Sequence, residues 1–501
     1  MFIDMNKRQV LILLSLVSLL FFASCQKEDY KSVIPQDANM VASLNVGELI
    51  EEADLSHSAI LKQAKEWMGL VATGSMRRKM DALLEEPNKL GFDFREPAYL
   101  FQTPNHCYGL ALKVADDSDL EDTFSFLRML QISSKLTEKD GKKWGMLLGE
   151  INFAFDANTF LMMVPTKGDN PSAVKSLMTH LLSLDENQQF QQSENYAKLT
   201  DAKGVIRFFS KANALPEAAE KYMSTMLPQN VRFGDVQLSS SVHFDKGAIR
   251  LVSTIFSDNP AVQQLIDEAD KNMHTISGKY LNAPADGFFV WSTLGCDGNW
   301  LLSTLKRNET MKNWLRALER AVDIEKMLKA VDGDVTFVMN SAEAVSGGDM
   351  NFLAMAEIEN HDFLNDVGEW KQSMRDYNIS MQEVGRNQYQ LSAADYRLNW
   401  GVEDQNLYFT TDKSFVNNAL GTKSNALQSY TDEIHRSKMF TYISLDAFSN
   451  TRSSLSGKSA DYLLNKIQGI VMKSDKMGDF EIRIQGRDPS KSLLKSLLEF
   501  D

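Results

Sequence analysis

The sequence predicts an α+β protein made of two tandem, similar lobes, each a mainly antiparallel sheet with helices packed on it. Three observations predict it. Polar turns separate short segments of alternating apolar residues, the pattern of β-hairpins and hence of antiparallel pairing. Between these segments lie amphipathic stretches with apolar residues at helical spacing. The order of blocks in the first half also recurs in the second at a nearly constant offset, as an internal duplication would leave it.

The 501 residues, 43% hydrophobic and 24% charged, suffice for packed cores. With 53 Lys+Arg against 67 Asp+Glu the net charge is −14. That field opposes binding to phosphate backbones, so no nucleic-acid partner is expected.

Along the chain, Val33-Ile34-Pro35-Gln36-Asp37-Ala38 reads as a turn feeding a strand over Asn39 to Leu44. Ala283-Pro284-Ala285-Asp286-Gly287 leads into Phe288 to Trp291 in the same way. Pro35, Asp37 and Val41 match Pro284, Asp286 and Val290 at an offset of 249. Tyr108 to Val114, then acids and Leu120, resembles Phe352 to Ile358, then Leu364; each reads as strand, then helix. Ser118-Asp119-Leu120-Glu121 is a capping-box pattern at the start of the first of these helices. Ile151, Phe153 and Phe155 alternate before Asp156-Ala157-Asn158 and a strand from Phe160 to Val164. Leu398, Trp400 and Val402 alternate before Glu403 to Asn406 and a strand from Leu407 to Phe409. Both read as hairpins. Ser172 and Val174 match Ser414 and Val416, and the halves close on strands Val236 to Phe244 and Phe480 to Ile484. Met311, Trp314, Leu315, Leu318 and Val322 form a stripe that a helix has to bury. The junction falls near Ser277-Gly278-Lys279.

The amino terminus is an address. Lys7 and Arg8 precede an apolar run from Val10 to Phe22 and then Ala23-Ser24-Cys25, the order of a secretory signal with a cysteine at the cleavage point. The run is too short to cross ~30 Å of hydrocarbon as a helix. Met5-Asn6-Lys7-Arg8 reads as a normal basic start, so Met1 and Met5 are both candidate initiation residues.

Phe22-Ala23-Ser24-Cys25 resembles the lipobox of bacterial lipoproteins, with Phe22 where Leu is usual. The resemblance implies that Cys25 is acylated and becomes the mature amino terminus, tethered to a membrane through its lipid. Cys25-Gln26-Lys27-Glu28-Asp29 resembles the Cys-x-Lys-acidic-acidic export signal of Bacteroidota surface lipoproteins. It implies the outer face of the outer membrane; the alternative is a charged tether facing the periplasm. With the opening Tyr30-x-x-Val33-Ile34-Pro35-x-Asp37-Ala38, the whole chain is similar to a family of Bacteroidota lipoproteins of like length described only as a domain of unknown function. No activity or site residues come with that resemblance. The expected organisation is signal peptide 1–24, acylated Cys and tether 25–33, first lobe 34–278 and second lobe 279–501.

No metal, cofactor or catalytic residues are singled out by spacing. The seven His residues are scattered, without the pair four apart that a helical zinc site shows. His243 reads as a solvent-facing strand residue. Asp116, Asp117, Asp119, Glu121 and Asp122 lack the order of a calcium loop and suit a helix start. There is no Gly-x-Ser-x-Gly elbow, and Ser-x-x-Lys at Ser172, Ser303 and Ser492 occurs as often as composition predicts. His106 and Cys107, adjacent in a strand, would point to opposite faces. Cys107 and Cys296 are expected to be buried thiols rather than a disulfide. Gly295-Cys296-Asp297-Gly298 reads as a strand-to-helix turn capped by Asp297 or Asn299. Tyr396, Trp400 and Tyr408 read as core rather than a sugar-stacking strip.

These readings lead to a non-enzymatic, lipid-anchored envelope protein that binds a partner, either another envelope protein or a glycan, in a groove between its lobes. The alternatives are an envelope hydrolase using two carboxylates or an assembly factor of the outer membrane.

Overall fold

Where apolar residues alternate the chain forms strands, and where they recur every three or four residues it forms helices. The computed structural model describes residues 29–53, 87–165, 171–214, 231–284, 288–339, 351–394, 396–412, 416, 427–450 and 458–499. They divide into two compact units, the described residues of 29–46 with 87–197, and those of 47–53 with 198–499.

The first unit contains β1 (Met40–Leu44), β2 (Ala98–Gln102), β3 (Tyr108–Lys113), helix α1 (Asp117–Met129), β4 (Thr137–Lys139), β5 (Lys142–Leu147), β6 (Ile151–Phe155), β7 (Thr159–Val164) and α2 (Pro171–Leu181). The strands pair antiparallel in the order β1-β2-β3-β7-β6-β5-β4. Helix α1 packs on the sheet through Leu120 and Phe124. The Phe124 ring stacks on Phe153 at 4.0 Å between centroids, with Phe155 and Phe160 alongside. The cap of α1 is Asp116, two residues before the expected Ser118; its Oδ1 accepts from Ser118 N–H at 2.9 Å and Asp119 N–H at 3.3 Å. Glu121 is drawn away from the box by an ion pair with Lys143. The hairpin turn is fixed by Asp156, which accepts from Asn158 N–H and Thr159 N–H at 2.9 Å each and pairs with Lys142.

The second unit begins with β8 (Ile206–Lys211), β9 (Gln237–Asp245), β10 (Ala248–Phe256) and helix α3 (Pro260–Asn272), then β11 (Met273–His274). It continues with β12 (Val290–Asp297), helices α4 (Gly298–Arg307), α5 (Glu309–Leu318) and α6 (Ile324–Lys329), β13 (Val331–Met339), β14 (Phe352–Ile358) and α7 (Val367–Arg375). It ends with β15 (Ser380–Gly385), β16 (Gln388–Ala393), β17 (Tyr396–Glu403), β18 (Asn406–Thr410), β19 (Met439–Ser444), α8 (Lys458–Lys466), β20 (Ile467–Lys476), β21 (Asp479–Gly486) and α9 (Leu493–Leu498). Strands β12 to β18 pair in the order β12-β13-β14-β18-β17-β16-β15. This is the order of β1 to β7, and α7 stands between β14 and β15 as α1 stands between β3 and β4. Trp370 of α7 meets Trp400 at 5.9 Å, and Trp400 stacks on Tyr389 at 4.6 Å.

Two antiparallel ladders, β8-β9-β10 and β19-β20-β21, meet where β10 residues Ala248–Thr254 pair with β21 residues Asp479–Gln485. The two halves of the sequence therefore do not keep separate sheets within this unit. The junction near Ser277-Gly278-Lys279 also lies inside it. That segment wraps a buried carboxylate, Asp334 of β13, 1% exposed. Asp334 accepts from Ser277 N–H at 2.8 Å, Ser277 hydroxyl at 2.9 Å, and the N–H groups of Gly278 and Lys279 at 3.0 and 3.3 Å.

Several readings are corrected. Trp314 of the α5 stripe is 55% exposed although Leu315 beside it is buried, because the helix turns only part of the stripe inward. Tyr396, at the first position of β17, is 82% exposed, whereas Trp400 and Tyr408 are buried as read. His106 is in a turn with φ 62° rather than a strand. Strand β20 was not read: by pairing order, β9 corresponds to β20 and β10 to β21, so the closing blocks were matched one strand out of step. Cys107 and Cys296 are buried and form no disulfide, and burial pushes the Cys296 thiol up to about 12.

Candidate functional site

An apolar cavity of about 380 Å³ lies in the second unit, beside the β10–β21 pairing. One wall is α3. Asn259 caps that helix by accepting from Ala261 N–H at 3.0 Å, and Pro260 supplies a first residue whose φ is already helical. Val262, Leu265, Ile266 and Ala269, at spacings of three and four, face the cavity. The facing wall is α4, whose N-terminus Asp297 caps by accepting from Trp300 N–H at 2.8 Å. Gly298 is required there: a Cβ would lie 1.9 Å from the Leu328 carbonyl oxygen. From α4, Trp300, Thr304 and Arg307 line the cavity on one face of the helix, which therefore runs from apolar to cationic.

The remaining walls come from the approach to β9 (Val231, Phe233, Val236), from Ile255 of β10 and from the β20–β21 turn, Met477 and Gly478. These parts are tied to one another. Asp270 at the end of α3 accepts from Met477 N–H at 2.8 Å and pairs with Lys438 at 2.9 Å. The Lys438 ammonium holds the Asp270 carboxyl below its usual range. Ile255 N–H donates to Gly478 carbonyl at 2.6 Å. Gly478 takes φ 97°, and a Cβ there would lie 2.9 Å from Ile266. At the rim Arg307 pairs with Glu268 at 2.7 Å, joining α4 to α3. Side chains from both halves of the sequence thus form one apolar chamber in which, among the described residues, Arg307 is the charged lining residue. It offers burial rather than acid–base chemistry.

A second, polar groove of about 770 Å³ lies on the other side-chain face of β9 and β10. There Ser241 Oγ and His243 Nε2 are 3.1 Å apart. Burial, with Arg250 nearby, lowers the His243 pKa, so the ring is neutral at pH 7. Among the described residues no carboxylate hydrogen-bonds its other nitrogen, so the pair lacks the orienting third group of a catalytic triad. Also among the described residues, no three His, Cys, Asp or Glu side chains converge to hold a metal, and no helix is long and apolar enough to cross a membrane.

The expected lipidation and export residues Cys25, Gln26, Lys27 and Glu28 lie outside the described residues. Asp29 is described: it caps the turn Tyr30–Val33, accepting from Lys31 N–H at 3.2 Å and pairing with its ammonium at 3.0 Å. Tyr30, Val33, Ile34 and Ala38 of the opening motif are buried, and Tyr30 donates to Pro97 carbonyl at 2.8 Å. None of the cavity residues was read as a site residue in the sequence. The available signal, the α3 stripe behind Asn259-Pro260, reads equally as core.

No curated protein matches the chain. A solved structure titled "Structure of crystal form I of TP0453" is 12% identical, with the match covering 50% of this chain and 88% of that chain at a TM-score of 0.27; that likeness is too low to carry an argument. A family model described as a domain of unknown function (DUF4836) matches residues 30–450, most of the chain, and the protein belongs to that family.

Proposed function

We propose that this chain is a lipid-anchored protein of the outer membrane, facing the cell surface, and that it works as a non-enzymatic binding module of two similar lobes. The observation that carries the binding role is the apolar chamber between α3 and α4, to which both halves of the sequence contribute. The shared pairing order of β1–β7 and β12–β18 supports a duplicated origin. The address rests on Phe22-Ala23-Ser24-Cys25 as the lipobox, with Cys25 acylated, and on Gln26-Lys27-Glu28-Asp29 as the surface-export signal. An apolar lining favours an apolar group over a glycan, whose hydroxyls would lose water without finding partners.

Two measurements test this reading. Cells fed labelled palmitate should label the protein and lose the label with Cys25→Ala; retained label refutes the anchor. The apolar dye Nile red should bind the purified protein one to one and bind Ala269→Phe, which fills the chamber, at least tenfold more weakly. Equal binding by both proteins refutes the site.

A further inference from the structure

We infer that the chamber holds one unbranched acyl chain with an anionic head beside Arg307; this rests on the reading of the chamber as the binding site. A methylene takes about the room of one water molecule, about 30 Å³, so 380 Å³ accommodates about a dozen carbons in a single chain. The wall of α3 is aliphatic, Val262, Leu265, Ile266 and Ala269, an irregular surface that a chain bending at each bond can follow and a rigid ring system cannot.

The head follows from α4. Its stripe passes from the Trp300 ring through Thr304 to Arg307, so a chain lying along it ends beside a guanidinium. Arg307 already meets Glu268 at 2.7 Å, and both side chains remain about a third exposed, at 39% and 32%. A guanidinium has five N–H donors in a fixed fork and can hold a second anion without releasing the first. Glu268, sharing that cation, would compete with the ligand's head. The two residues at the rim therefore act in opposite directions on an anionic head, and only packing distinguishes them towards a neutral one.

The test uses the full-length protein, delipidated, titrated with dodecanoate, with a lysophospholipid bearing the same chain, and with dodecanol. Trp300 fluorescence is the readout, and its change should vanish in Trp300→Phe. Dodecanoate or the lysophospholipid should bind one to one, the tighter of the two identifying a free fatty acid or a lipid as the source. Arg307→Gln should weaken dodecanoate about tenfold more than it weakens dodecanol, and Glu268→Gln should tighten dodecanoate several-fold relative to dodecanol. Ala269→Phe, and independently Leu265→Trp should the first fail to fold, should weaken all three. Unchanged dodecanoate binding in a folded chamber-filling variant overturns the inference. So does an Arg307→Gln effect equal for dodecanoate and dodecanol. Nile red separates the two failures: if the dye enters the chamber and no acyl ligand does, the acyl inference falls while the binding site stands, and if neither enters, both fall.

Discussion

Asp334 is a carboxylate 1% exposed that meets four donors from Ser277, Gly278 and Lys279. Removing it strands those donors beside a void. Asp334→Ala should destabilise the second unit by about 3 kcal/mol, read as a lowered midpoint in chemical unfolding. Asp156 makes a pH-dependent contribution. Its burial raises the pKa, but Lys142 and the N–H groups of Asn158 and Thr159 outweigh that and leave it below the ordinary 3.8. The folded state thus binds its proton less readily than the unfolded chain. The stability it supplies is present at neutral pH and is lost as the pH falls from about 5 to about 2. In Asp156→Asn the stability difference from wild type should accordingly be largest at neutral pH and shrink towards about pH 2; a difference independent of pH would contradict the assignment. At this scale the sequence was legible where a side chain answers to its immediate neighbours: Asp297 caps α4 as read, and the turn at Asp156 lies where alternation breaks. It was not legible where two candidate residues competed for one cap. Asp116 takes the cap by accepting from the N–H groups of Ser118 and Asp119, while Glu121 pairs with Lys143 of β5. Tyr396 and Trp314 misled because periodicity gives a face but not what covers it.

The elements were legible in proportion to their pattern. The hairpins β6–β7 and β17–β18 were read from alternation alone, and α1 from its acidic start and Leu120 and Phe124. Strand β20 was missed because Lys473, Asp475 and Lys476 run through its second half, and its partners β19 and β21 rather than its own composition make it a strand. Helix α4 depends on close approach at its first residue. Gly298→Ala places a Cβ 1.9 Å from the Leu328 backbone oxygen, a contact that no side-chain rotation relieves. The start of α4 has to shift, and the cost should exceed about 2 kcal/mol. Since Trp300 follows two residues later, the same variant should also change Nile red binding. A destabilised protein with unaltered dye affinity would show that α4 does not set the chamber wall.

For the whole molecule, the order of blocks was visible in the sequence and the way the two halves join was not. The pairing order of β1–β7 recurs in β12–β18, and the second unit joins a ladder from each half at β10 and β21. The chamber lies beside that pairing, with walls drawn from residues as far apart as Val231 and Gly478. No short motif can encode a site assembled from five segments. The apolar lining of this hollow and the place of Arg307 in it were not foreseeable from the sequence. The most direct measurement of the central claim is native mass spectrometry of the protein purified from its own cells, beside Ala269→Phe purified in the same way. The account predicts an apolar ligand at one per chain in the wild type and none in the variant. The same ligand in equal amount on both proteins, or no ligand on either, would contradict it.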